Sequence, residues 1–102
     1  MKAALRTIII EDEAPARMLL QRFLSDHKNI DIIAEFADGF SGLKGIQENK
    51  PDLVILDIQM PKLTGFELLE LLDEDLPEII FTTAYDQYAI KAFEMNAVDY
   101  LL

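Results

Sequence analysis

The stretch Leu53-Val54-Ile55-Leu56-Asp57-Ile58-Gln59-Met60-Pro61 decides how this chain folds. An apolar run without alternation ends in a single aspartate, Asp57, and the loop that follows carries Pro61 and is closed by Gly65. Such a run predicts a strand buried on both faces, as in a parallel sheet, rather than one half exposed to water. Upstream, Thr7-Ile8-Ile9-Ile10 has the same character and ends in Glu11-Asp12-Glu13. Carboxylates at the carboxyl ends of two neighbouring parallel strands share the crevice where open α/β folds bind ligands. Several carboxylates in one crevice repel one another unless a hard cation or a proton compensates. The pattern therefore predicts a divalent-metal site with one special aspartate, Asp57.

Working outward, residues 5–10 form the first predicted strand. Pro15 then sits where a first-turn proline is tolerated, and Ala16, Leu19, Leu20, Phe23 and Leu24 repeat at helical spacing. A strand follows at Ile30–Phe36. Asp38-Gly39 turns the chain into a helix carrying Phe40, Leu43 and Ile46, which stops before Pro51. After the strand Leu53–Leu56 and its loop, Phe66, Leu68, Leu69, Leu71 and Leu72 mark a third helix, broken near Pro77. Glu78–Thr83 reads as a fourth strand, Tyr85–Met95 as a fourth helix and Val98–Leu102 as a fifth strand. This alternation predicts a doubly wound, flavodoxin-like α/β fold, a five-stranded parallel sheet of order 2-1-3-4-5. That order sets the first strand beside the third, bringing Asp12 and Asp57 together.

The 102 residues suffice for one domain with a real core. A net charge of −10, from nine Lys+Arg against nineteen Asp+Glu, is the wrong balance for direct nucleic-acid binding and favours cations and basic protein surfaces. The absence of cysteine excludes a disulfide framework and a thiolate zinc site and fits a cytoplasmic protein. The longest apolar runs are far short of a membrane span, so no membrane partner is expected. His27, alone near a helix end, reads as a solvated residue, and Glu13 as compensation for the helix dipole rather than a ligand.

Taken together, Glu11-Asp12, Asp57 with Met60-Pro61 and Gly65, Thr83-Ala84 and Tyr100 resemble a response-regulator receiver domain. The stretches Glu11–Arg17 (EDEAPAR) and Thr82–Leu102 (TTAYDQYAIKAFEMNAVDYLL) resemble the LytTR-type branch of that family. The resemblance implies a phosphoacceptor signalling domain of a two-component system, not an enzyme. Asp57 would take a phosphoryl group from a sensor histidine kinase or phosphotransfer protein. It implies Mg²⁺ (or Mn²⁺) held by Asp12 and Asp57 directly, by Glu11 through water, and by the Gln59 backbone carbonyl. Thr83 and the Ala84 N–H would bind the phosphoryl group, and Tyr100 would act as an aromatic switch on the face of the fourth helix and fifth strand. The side chains of Gln59 and Tyr85 would tune dephosphorylation.

Receivers of this kind continue with a Lys-Pro pair and a final helix, where this sequence stops at Leu102. The expectation is therefore a receiver over 1–102, C-terminally truncated, with any transcriptional output domain absent and DNA reached only through it. Loss of the lysine would weaken phosphate retention, and an uncovered sheet face would favour a homodimer or other self-association. Rival readings fit less well. A haloacid-dehalogenase-type phosphohydrolase places a second Asp where Gln59 stands. A flavodoxin-like mononucleotide binder needs a phosphate loop where Glu11-Asp12-Glu13 would repel one. A receiver-like interaction module without phosphorylation remains the principal alternative.

Overall fold

Ile8, Ile9 and Ile10 all have zero exposure, which requires cover on both faces of the strand that carries them. The computed structural model describes residues 4–72, 76–82 and 99–101, the last three through their backbone. The elements are β1 (Leu5–Ile10), α1 (Ala14–Ser25), β2 (Ile30–Phe36), α2 (Gly39–Asn49), β3 (Leu53–Asp57), α3 (Gly65–Leu71), β4 (Glu78–Thr82) and β5 (Asp99–Leu101). The strands form one parallel sheet in the order β2-β1-β3-β4-β5, the order expected. The predicted helix over Tyr85–Met95 and the last residue of the predicted fourth strand, Thr83, lie outside the described residues.

Local signals account for the helix ends. Pro15 occupies the first turn of α1. The Asp38 carboxylate caps α2, accepting the Ser41 N–H at 2.8 Å, and Lys50 ends it in a left-handed conformation (φ 46°) just before Pro51. Thr64 and Glu67 form a reciprocal capping box at the start of α3.

Strand alternation divides the interior. Ile8, Ile10, Val54, Leu56, Ile79 and Phe81 pack with α2 and α3, where Phe66 meets Phe81 edge-on at 5.0 Å between ring centroids. Ile9 and Ile55 pack with Leu20 and Leu24 of α1. The helical spacing did not reveal which stripe turns inward. Leu19 and Phe23, at 68% and 64% exposure, lie outward because one residue along a helix is a rotation of about 100° from the inward Leu20 and Leu24. Phe40 and Leu71 are exposed too. On α2 the inward face is Gly39, Gly42, Gly45 and Ile46, and the glycines let the helix lie directly on the sheet. A Cβ at Gly42 would sit 2.6 Å from Ile10 Cδ1. Among the described residues no helix is long and apolar enough to cross a membrane.

Candidate functional site

Because β1 pairs with β3, with Ile10 opposite Leu56, the residues that follow each strand emerge side by side. Glu11 leaves β1, Asp57 ends β3, and Asp12 begins the turn into α1. One ligand oxygen from each of Glu11, Asp12 and Asp57 lies within 4.8 Å of the others. Glu11 and Asp57 are buried and Asp12 is half-buried. Glu13 stays outside this group as the exposed N-cap of α1, and its N–H donates to Glu11 Oε2 at 3.1 Å. His27 is exposed, tilted against Phe23.

The loop after β3 holds Asp57 from the other side. The Gln59 N–H donates to Asp57 Oδ1 at 3.1 Å. Lys62 takes a left-handed φ of 72°, and the Gly65 N–H donates back to the Ile58 carbonyl at 2.9 Å. A Cβ at Gly65 would stand 2.5 Å from the Asp57 carbonyl oxygen, so only glycine permits α3 to begin so close to the aspartate's own peptide. On the far side Asp57 is in register with Thr82 of β4, whose carbonyl accepts the Ile58 N–H at 3.0 Å.

Burial, the hydrogen bond with Glu11 and the Glu11 charge push the Asp57 carboxyl up to about 8, with Asp12 adding to the effect and the Gln59 N–H opposing it. Burial also raises Glu11, against the lowering pull of the Glu13 N–H and of Asp57. Without a cation, therefore, a proton on Asp57 relieves the repulsion within the cluster. Three convergent, partly dehydrated carboxylates are also the hard-oxygen donor set that suits a divalent cation keeping several waters. A cleft of about 680 Å³ at the opposite edge of the sheet, beside Lys50, Asp52 and Glu78, is remote from this chemistry.

A further residue joins the site. Arg17, one turn into α1, donates from Nη1 to the Glu11 carbonyl at 2.8 Å, and its Nε lies 4.0 Å from Glu35 Oε1 on β2. Its sequence signal is a cation early in the predicted first helix, at the end of the stretch Glu11–Arg17, to which the sequence alone assigns no role. Gln59 is exposed beside the cluster. Tyr100 lies in β5 opposite Phe81 by its backbone. The expected roles of Thr83, Ala84 and Tyr85, and of the Tyr100 ring, fall outside the described residues.

Comparison with known proteins gives these features a family. A response regulatory protein of Vibrio vulnificus is 54% identical over 99 residues, which are 96% of this chain and 41% of that protein. The transcriptional regulatory protein BtsR of Escherichia coli (strain K12) is 43% identical over 99 residues, with the same shares of each chain. The chain thus spans about two fifths of the length of these curated relatives. Among solved structures, the response regulatory domain of protein mrkE from Klebsiella pneumoniae matches with a TM-score of 0.88 and 38% identity, covering 96% of this chain and 82% of that one. With the model of the response regulator receiver domain matching residues 7–102, the chain belongs to this two-component signalling family, whose domains are phosphoacceptors rather than enzymes.

Proposed function

We propose that Asp57 is the phosphoacceptor of this receiver, with a sensor histidine kinase or phosphotransfer protein as donor. The observation that carries the reading is the convergence of Glu11, Asp12 and Asp57 within 4.8 Å at the carboxyl edge of β1 and β3. An Asp57 oxygen bonds to phosphorus as the P–N bond of a phosphohistidine breaks, and the imidazole leaves with a proton. Asp12, Asp57, Glu11 and the Gln59 carbonyl would hold Mg²⁺ or Mn²⁺, which would supply positive charge to offset the carboxylates and the phosphoryl oxygens. The Gln59 N–H orients the Asp57 carboxylate, and the Gly65 contact fixes the peptide beneath it.

In the same reading, Thr83 and Ala84 receive the phosphoryl oxygens and Tyr100 responds to them, shifting a two-state equilibrium of the surface built by the Tyr85–Met95 segment and β5. Gln59 and Tyr85 flank the phosphoryl group and set its lifetime. Residues 1–102 are the receiver of a longer cytoplasmic regulator whose output is transcriptional. This fits relatives more than twice its length, BtsR among them. Exposed Met18, Leu19 and Phe23 on α1 support contact with a partner or a second copy.

The test is intact-mass spectrometry after incubation with Mg²⁺ and acetyl phosphate or phosphoramidate, beside Asp57→Ala. One labile phosphoryl group on the wild type, absent from the variant, is expected. Folded wild-type protein that takes no phosphoryl group would overturn the reading.

A further inference from the structure

We propose that Arg17 is a positioning residue for the acidic loop, holding the peptide between Glu11 and Asp12 so that both carboxylates converge with Asp57. The inference rests on the metal-assisted reading above. Past the last register pairs of β1, Ile10 with Phe36 and Ile10 with Leu56, the ladder no longer organises the chain. The Glu11 N–H still reaches the Phe36 carbonyl at 3.0 Å. Its own carbonyl, on a buried residue, needs a donor from elsewhere. Arg17 Nη1 is that donor at 2.8 Å, while Nε stands 4.0 Å from Glu35, the neighbour of Phe36 on β2. The peptide leaving Glu11 is thus tied to α1 and, through the guanidinium, to β2.

That peptide plane contains the Glu11 carbonyl and the Asp12 N–H, so its orientation sets the directions in which both side chains leave the backbone. When all three are ionised, mutual repulsion pushes the carboxylates apart. A guanidinium on the backbone carbonyl opposes that spreading without occupying a carboxylate oxygen that a cation needs. Its planar guanidinium bonds the Glu11 carbonyl while its charge stays within ion-pair reach of Glu35, a geometry that a lysine ammonium does not reproduce.

The experiment is calorimetric titration of Mg²⁺ into the intact chain, wild type beside Arg17→Met and Arg17→Lys, with the melting temperature of each metal-free protein. Methionine keeps an apolar stem and removes every donor. Its Mg²⁺ affinity is expected to fall about tenfold, the lower end of what outer partners of metal ligands contribute. Lysine, which retains one charged donor, is expected to stay within about threefold of the wild type. Arg17→Met that binds Mg²⁺ as the wild type does overturns the inference, whether or not its melting temperature falls. If Arg17→Met fails to fold, Glu35→Gln carries the test with an expected loss of about threefold, and unchanged affinity overturns the inference. Wild-type protein that takes neither Mg²⁺ nor a phosphoryl group overturns the reading beneath. Wild type that takes both, with variants that match it, overturns this inference alone.

Discussion

The two faces of the sheet are built differently. Toward α2 and α3, large side chains from three strands interlock with Phe66, Leu68 and Leu69, and glycines bring α2 against Ile10 and Phe36. Toward α1, the described core is thin: Ile9, Leu24 and Ile55 are buried, and Met18, Leu19 and Phe23 point away from them. Among the described residues, α2 and α3 cover one face of these strands and α1 the other. The buried side chains among the described residues lie mostly toward α2 and α3, while Met18, Leu19 and Phe23 of α1 are exposed. The acidic loop stands where β1 turns into α1, and there Arg17 donates to the Glu11 carbonyl.

The largest expected effect tests the thick face. Phe81→Ala removes a fully buried ring from its edge-on contact with Phe66. It should cost about 3–5 kcal/mol of folding free energy, read by urea denaturation. On the thin face, Leu24→Ala should cost less, about 2–3 kcal/mol, in the same assay. Equal losses would erase the contrast between the faces.

The edge between the faces responds to pH. With Asp57 held near 8 in the folded chain, against the usual 3.8, the folded state binds a proton that the unfolded state has released. The site's contribution to stability is therefore full below 3.8 and declines as pH rises toward 8. The raised Glu11 acts in the same direction. Like charges at this separation repel by roughly 3–4 kcal/mol at an effective dielectric of 20. Asp57→Asn, discounted for solvent and relaxation, should then stabilise the metal-free protein by about 1–3 kcal/mol at pH 8. The gain should be much smaller at pH 5, and an equal gain at both values would remove the shared-proton account. The smallest effect is on α1: Phe23→Ser should change folding stability by no more than about 0.5 kcal/mol while lowering any self-association seen by light scattering. A large loss of stability there would mean that the thin face is thicker than described.

Much of this organisation was legible before the structure. The runs at Thr7–Ile10 and Leu53–Leu56 read as doubly buried strands because they lack alternation, and the flavodoxin-like order 2-1-3-4-5, the natural choice for five such strands, is the one observed. Proximity of Glu11, Asp12 and Asp57 came with that order. What was not legible depended on rotation and approach. Helical spacing named Leu19, Leu20, Phe23 and Leu24 alike, yet α1 turns only the second and fourth inward. Helical spacing grouped Phe40 with Leu43 and Ile46, yet Phe40 is exposed and three glycines and Ile46 face the sheet.

The order of apolar runs, turn residues and acidic strand ends by itself determined the sheet, its parallel sense and which strand ends meet. These features depend on local periodicity and on a short chain's limited choice of crossovers. Only the tertiary structure decided how far Asp57 and Glu11 are withdrawn from water, and hence that, without a cation, burial and the neighbouring Glu11 push the Asp57 carboxyl up to about 8. It alone decided that Arg17 reaches the Glu11 carbonyl and approaches Glu35. Desolvation and hydrogen-bond partnership are properties of groups brought together from separate elements, and no single stretch of the chain contains them.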